Sequence, residues 1–450
     1  MKRVAWTLAR AVALASALAF AHVLHVSAQP QPSAEPPAAP PGMLDPRAPV
    51  RPIDQALREV RAGRAAAPAL ERYEAGDYQR AARLGLRLID EGGDTPELRY
   101  AVANSLAWTG RYDAALAQYR ALLGTSYDGR AKLGMANIRL WNGEAHVAEE
   151  YYGEVLAAEA GNAEARHGLE LAGRELRPAL SLRLGRTHDN QNFSRNEAWL
   201  TYRKWSADRA WRFEASALRD SYSGPGTETT RNGVQGSLWA TALPWAPRAE
   251  ASLYDSRLFA TLQVEPVREF LRLRAGHVNW ARLAFSAGAL AERLSADTVG
   301  LTAEARPTIG ALRLRLDGYE ISDGNRIVDG EFQFTPAWQP LPWRLEWYGG
   351  YYGRRAERAD ARYWSPQPAY GLAFLGVRRN WSSDRYDASA WLRAGAGVTE
   401  TAKASWSAGV SGRYWLTTDI ALGLEAWALE APRPTPYRMQ QALAFAQYLW

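Results

Sequence analysis

The 450-residue chain contains no cysteine. That excludes disulfide staples, thiol chemistry and a lipid attached to an N-terminal cysteine, and it fits an exported protein that needs no covalent cross-link. Histidine is scarce: of six, only His188 and His277 lie beyond residue 178. His188 borders Asp189 and Asn190, with Ser181 and Ser194 nearby, but no nucleophile motif surrounds either serine. No enzymatic activity, cofactor or metal is therefore expected, and Asp189, Asp323 and Asp329 read as solvated acids of outer loops. Long apolar runs are missing after Leu24, and the mean hydropathy of -0.37 is that of a soluble protein. A membrane barrel has the same hydropathy, because half of each strand faces water.

What the chain does have, from Pro178 to Trp450, is alternating polarity in segments of about ten residues, divided by turn residues. Leu180-Ser181-Leu182-Arg183-Leu184, Leu271-Arg272-Leu273-Arg274-Ala275 and Leu312-Arg313-Leu314-Arg315-Leu316 place aliphatic groups on one strand face and guanidiniums on the other. This is the pattern of a strand between lipid and water.

Four regions follow. Residues 1–28 read as a signal peptide: Lys2, Arg3 and Arg10 precede the apolar run Ala11 to Leu24, and Val26-Ser27-Ala28 offers a cleavage site. Residues 29–53 form a Pro/Ala-rich linker. Residues 54–177 carry helical periodicity and residues 178–450 the barrel, so the fold class is α + β in two domains.

In the helical region Gly76, Gly110 and Gly143 recur at steps of 34 and 33, with Tyr78 and Ala81, Tyr112 and Ala115, and then Ala145 and Ala148 behind them. The spacing matches the tetratricopeptide repeat, in which Gly serves the turn between antiparallel helices and Ala lets the second helix approach. The third repeat departs by carrying Ala145 in place of tyrosine. Such an array forms a groove for a protein partner or packs beneath the barrel.

About sixteen strands are expected, beginning near Ala179, Arg195, Arg209, Arg231, Arg248, Glu269, Ala281, Asp297, Ile309, Ile327, Trp343, Pro368, Asp384, Ala402, Thr418 and Arg438. An even number returns the chain to the side of the helical array. Short turns are expected on that side, Val278 to Trp280 among them. Ser223 to Thr230, Arg257 to Arg268, Arg355 to Gln367 and Glu430 to Tyr437 are expected as long outer loops, with Leu258 to Val264 open to being a strand of its own. Tyr448 and Trp450 share one face, the C-terminal signal that barrel-insertion machinery reads. Trp199, Trp205, Trp211, Trp239, Trp245, Trp280, Trp343 and Trp381 suit interfacial girdles.

Taking the apolar parity as outward, the lumen receives Arg183, Arg203, Arg212, Arg272, Arg274, Arg313, Arg315, Arg344, Arg393 and Arg413. Facing them are Glu197, Glu214, Glu250, Asp317, Glu346 and Glu425, and Tyr254, Tyr348, Trp391, Trp415 and Trp427 offer aromatic faces. Two uses are open: a path favouring anions or sugar rings, or arginine–carboxylate pairs that stiffen the wall. The net charge of +6 points to anionic lipid or solute and not to nucleic acid, given the signal peptide and the scatter of arginine along strands.

Signal peptide, tetratricopeptide repeats and a barrel ending in an aromatic together resemble bacterial exopolysaccharide exporters: the poly-N-acetylglucosamine export porin, the cellulose-synthase outer-membrane subunit and the Pel export protein. The resemblance is one of architecture over most of the chain. It implies an outer-membrane protein with its repeats in the periplasm, docking a periplasmic protein and passing a biofilm polysaccharide through a pore gated by an outer loop such as Arg355 to Gln367. It departs in having about three repeats, too few to cross the periplasm. The alternative is a non-conducting barrel of the YaiO type that acts as a scaffold through its repeats.

Overall fold

The computed structural model describes residues 66–267, 270–307, 309–338, 345–360, 362, 369–383, 385–398, 404–431 and 437–450. The expected signal peptide and linker lie outside these residues. Among the described residues seven helices lead into the barrel: α1 (Ala67–Glu74), α2 (Tyr78–Asp90), α3 (Pro96–Trp108), α4 (Tyr112–Arg120), α5 (Asp128–Trp141), α6 (Ala145–Ala158) and α7 (Ala163–Leu176).

Local chemistry sets their ends. Thr95 Oγ1 accepts the Leu98 N–H at 3.2 Å ahead of Pro96, and Asn162 accepts that of Ala165 at 2.9 Å, each satisfying a donor that the first turn leaves unpaired. Gly76, Gly110 and Gly143, with φ of 75°, 73° and 74°, make the turns α1–α2, α3–α4 and α5–α6. Ala81, Ala115 and Ala148 are buried where the helices of each pair meet.

A second repeat runs through the core of the array. The Tyr119 hydroxyl donates to Asn104 and packs its ring over Gly134; the Tyr152 hydroxyl donates to Asn137 at 2.6 Å and packs its ring over Gly168. A Cβ on either glycine would lie within 2.4 Å of the ring.

Sixteen antiparallel strands close into a barrel. They are β1 (Ala179–Asp189), β2 (Ser194–Trp205), β3 (Trp211–Gly224), β4 (Thr227–Ala240), β5 (Arg248–Tyr254), β6 (Arg257–Val267), β7 (Leu271–Val278) and β8 (Ala296–Ala305). The second half comprises β9 (Gly310–Ile321), β10 (Arg326–Pro336), β11 (Glu346–Ala356), β12 (Ala369–Ser382), β13 (Tyr386–Gly397), β14 (Ser405–Trp415), β15 (Ile420–Ala431) and β16 (Tyr437–Leu449). β1 pairs with β16 from Ala179↔Leu449 to Asp189↔Met439, sealing the cylinder. The chain enters and leaves at the same end, here the near rim, where the helices lie.

The outward face is apolar: Leu180, Leu182 and Leu184 are 40%, 44% and 52% exposed, while Ser181, Arg183 and Gly185 turn inward. Tyr448 and Trp450 lie outward, and the Trp450 ring stacks with both Tyr448 and Tyr202, each at 5.8 Å.

Two sequence expectations fail in a compensating way. Arg257 to Arg268 is not a loop, since Arg257–Val267 is β6 with Leu258, Ala260 and Leu262 outward. Ala281 starts no strand, because it lies in α8 (Trp280–Ala284). Val278 to Trp280 is accordingly no near-rim turn; it opens a far-rim segment, residues 279–295, containing α8 and α9 (Ala287–Ala291). The Asn279 and Ser286 side chains cap those two helices, a signal stronger than the short apolar alternation around them. Ser223 to Thr230 also shrinks to a two-residue hairpin turn, with Gly226 at φ 69°. Of the expected girdle, Trp199, Trp205 and Trp239 face inward on their strands and Trp280 is buried at the far rim, whereas Trp211 and Trp245 are exposed. Trp381 sits on the outward parity and Trp343 lies outside the described residues.

Candidate functional site: the barrel interior

Strand parity turns Arg183, Arg203, Arg212, Arg272, Arg274, Arg313, Arg315, Arg393 and Arg413 to the lumen, together with Tyr254, Tyr348, Trp391, Trp415 and Trp427. Arg344 lies outside the described residues. The interior has three levels.

At the near mouth, α7 leans on the rim. Glu175 meets Arg203 at 3.4 Å, the Trp205 indole N–H donates to the Glu175 carbonyl at 3.1 Å, and Arg177 pairs with Asp419 at 2.7 Å. The Arg174 guanidinium lies 5.3 Å over the Trp415 ring. Across the mouth, Arg306 after β8 lies 5.3 Å over Tyr112 and fills the space beside Gly110, where a Cβ would come within 2.2 Å of its guanidinium. The β8–β9 turn is half a circumference from β1, so the helices bridge the opening. Packing against the rim works to raise the Glu175 pKa, and the guanidiniums of Arg203, Arg413 and Arg212 outweigh it, holding the group below the ordinary carboxylate value. Asp419 is lowered by its hydrogen bond from Arg177.

In the middle, arginines are matched to carboxylates across and along strands. Arg212 reaches Glu214 at 2.7 Å, Arg272 reaches Glu265 at 3.1 Å, and Arg274 and Arg315 share Asp317 at 2.7 and 2.9 Å. Arg313 meets Glu304 at 3.5 Å, Arg393 meets Glu331 at 3.1 Å and Arg413 meets Asp387 at 2.9 Å. The aromatic faces are occupied too: Arg378 lies over Tyr348, Arg413 over Trp415, and the Trp427 indole donates to Gln441 at 2.8 Å.

At the far level the lumen is packed. Residues 279–295 fold in from the far rim, bringing Phe285 and Leu290 into one buried cluster with Phe193, Tyr222, Tyr352, Tyr370, Phe374, Trp427 and Tyr437. β3 and β11 contribute to it from opposite walls. Phe285 sits 5.0 Å from Phe193, in the left-handed conformation at φ 44°, which costs a bulky L-residue about 1–2 kcal/mol. Arg282 anchors the segment: its Nε donates to fully buried Asp220 at 2.7 Å, and its guanidinium lies 4.7 Å over Trp199 and 3.7 Å from Glu197. Asp220 also accepts the Tyr254 hydroxyl at 2.8 Å. On the opposite side Arg362 reaches Glu292 at 2.6 Å and Asp323 at 2.8 Å.

Sequence reasoning missed Asp220, Arg282, Arg195, Arg354 and Arg378. The parity of β3, β2, β11 and β12 carried the signal for all of these but Arg282, which a displaced strand hid. Two expected loop acids are corrected. Asp329 is a buried β10 residue paired with Arg354 at 2.7 and 3.0 Å, and Asp189 is buried, accepting the N–H groups of Gln191 and Phe193 at 2.9 Å. Ser194 Oγ lies 2.7 Å from Ser223 Oγ, and Ser181 is on the opposite face of β1 from His188. Among the described residues no group of three or more metal-ligating side chains occurs.

No protein-family model and no curated protein sequence matches the chain. Solved structures do. The chain is similar to a bacterial polysaccharide outer membrane secretin, with 9% identity over 60% of this chain and 98% of that one and a TM-score of 0.47. It is also similar to two porins of Pseudomonas aeruginosa: OccK8 (OprE), at 10% identity over 61% and 98% with a TM-score of 0.34, and OccK2 (OpdF) in complex with glucuronate, at 11% over 61% and 98% with a TM-score of 0.33. A sealed cylinder, apolar outside and polar within, makes this protein a β-barrel of the outer-membrane type on its own geometry.

Proposed function

We propose that the protein is an outer-membrane pore that exports a polysaccharide, with the helices acting as a periplasmic tetratricopeptide domain that docks a periplasmic protein and presents the polymer to the near mouth. One observation carries the reading: an array of helix pairs bridges the entrance of a barrel whose wall is lined by arginines and aromatic rings. The mouth keeps a small arginine excess, with Arg174, Arg177, Arg203, Arg209 and Arg306 set against Glu149, Glu170, Glu175 and Asp419, which suits a polymer carrying negative charge. The packed far level corresponds to a closed state. Residues 279–295 are the moving part, held by Arg282 and loaded by the conformation of Phe285, in preference to Arg355 to Gln367, which begins inside β11 and of which 361 and 363–367 lie outside the described residues.

Planar-bilayer recording tests this. The wild type stays mostly closed, and Arg282→Ala with Phe285→Ala raises open probability and gives an anion-preferring conductance. Arg272→Glu with Arg274→Glu in that background reverses the preference. The second reading, a non-conducting scaffold, is favoured by the aromatic packing of the far level. It prevails if the opened variant remains silent while the helical array still binds a periplasmic protein.

A further inference from the structure

On β1 to β4 the lipid-facing side chains change character over two neighbouring levels, one on β1 and β2 and the other two residues away on β3 and β4. Read outward-facing from the near rim, β1 presents Leu182, Leu184 and then Arg186, and β2 presents Leu200, Ala198 and then Asn196. β3 presents Ala215, Ala217 and then Arg219, and β4 presents Gly236, Val234 and then Asn232. Arg186 is opposite Asn196, and Arg219 is opposite Asn232. Both arginines are exposed, and neither has a hydrogen-bond or ion-pair partner among the described residues. Lumen arginines such as Arg212, Arg274, Arg315 and Arg393, by contrast, are held by carboxylates.

β1 and β3 are two strand spacings apart, about 10 Å, and the register offsets the two arginines by two residues, about 7 Å along the strands. Both guanidiniums therefore reach a single anion. An unpaired arginine on the lipid face of a barrel costs up to about 2–4 kcal/mol as it nears the bilayer midplane. A phosphate removes that cost with short charge-assisted hydrogen bonds.

Four residues below Arg219, about 13 Å toward the near rim, the outer wall is dented. The depression of about 780 Å³ is lined by Phe213, Ala215, Gly236, Leu238, Ala251 and Leu262. It is apolar and opens to the lipid side, at the distance an acyl chain covers from its headgroup.

We propose that Arg186 and Arg219, flanked by Asn196 and Asn232, bind the phosphate of a phosphorylated glycolipid in the far-rim leaflet, one acyl chain of which lies in the dent. The two amides select a glycolipid over a simple phospholipid, because they offer donors and acceptors to sugar hydroxyls beside the phosphate. That the far leaflet is the outer one rests on the topology proposed above.

Native mass spectrometry of the delipidated full chain, titrated separately with lipid A, phosphatidylglycerol and inorganic phosphate, tests the site. Wild type takes up one lipid A, and inorganic phosphate leaves no adduct. Arg186→Ser with Arg219→Ser weakens lipid A binding roughly tenfold or more, as expected for loss of two charge-assisted contacts. Gly236→Leu weakens it separately by filling the dent, where the only atom within reach of an added Cβ is a backbone oxygen at 4.0 Å. Both variants keep the heat-modifiable migration of a folded barrel, since the altered side chains point to lipid. Equal lipid A binding by wild type and the double serine variant overturns the site, as does a dimer that Gly236→Leu abolishes. A preference for phosphatidylglycerol that the arginine changes remove would show instead that the phosphate site is real and the topology inverted, overturning the glycolipid assignment and the orientation together.

Discussion

The two ends of the barrel interior are held by different physics. At the near mouth the contacts are polar and half-exposed: Arg177 and Asp419 are 34% and 44% exposed, and Arg203 reaches a Glu175 that is 46% exposed. At the far level the polar groups are sealed under aromatic rings, with Arg354 and Asp329 each 1% exposed. The same residue types therefore have opposite consequences. An exposed pair contributes about 0–1 kcal/mol and is screened by salt, whereas breaking a buried one strands a charge out of water. The near end is therefore held weakly and the far end firmly.

Removing half of the buried pair should have the largest effect. Arg354→Ala is expected to destabilise the barrel by about 3–5 kcal/mol, read as a lower urea midpoint for loss of heat-modifiable migration. Arg354→Met with Asp329→Leu should recover most of that loss. If the single change costs no more than an exposed pair, the contrast between the two ends fails. Next is Gly134→Ala, which drives a methyl into the Tyr119 ring and should cost about 1–3 kcal/mol. It should lower the thermal midpoint of the helical signal while leaving the barrel signal in place. Thr95→Ala, which removes the α3 cap, should cost about 1 kcal/mol in the same assay.

The smallest effects belong to the near mouth. Arg177→Ala should change global stability by about 1 kcal/mol or less, yet speed proteolysis between α7 and β1. The pH dependence has a fixed sign. Glu175 and Asp419 have folded pKa values below their ordinary ones, so their contribution is fully present above the unfolded carboxylate pKa, about 4. It is lost as pH falls through the folded values. Cleavage by an acid-active protease should therefore accelerate below about pH 4 in the wild type, and hardly at all in Asp419→Asn with Glu175→Gln.

Strand parity was legible because it is local: Leu180, Leu182 and Leu184 alternate with Ser181 and Arg183 whatever the remainder of the chain does. The helix turns at Gly76, Gly110 and Gly143 were legible for the same reason, since a left-handed residue leaves its mark at one position. Residues 257–295 were misread although Leu258 to Val264 alternates as well as any strand, because the alanines of α8 and α9 imitate a weak strand that took its place in the count. The Asp220–Arg282 anchor was out of reach in another way. Its partners are 62 residues apart, and no period in the chain connects them. Asn104, Tyr119 and Gly134 did repeat in the sequence, but only their contacts reveal why those three belong together.

The seam between β1 and β16 also imposes an order of events. Ala179 finds its partner in Leu449, so nearly the whole sheet must exist before the first strand can be satisfied. Until then two edges of bare N–H and C=O groups stand open, and closure over so long a separation is slow. Whatever escorts this protein to its membrane has to shield both edges for that interval, and a delay in the last hairpin would leave the entire sheet adhesive.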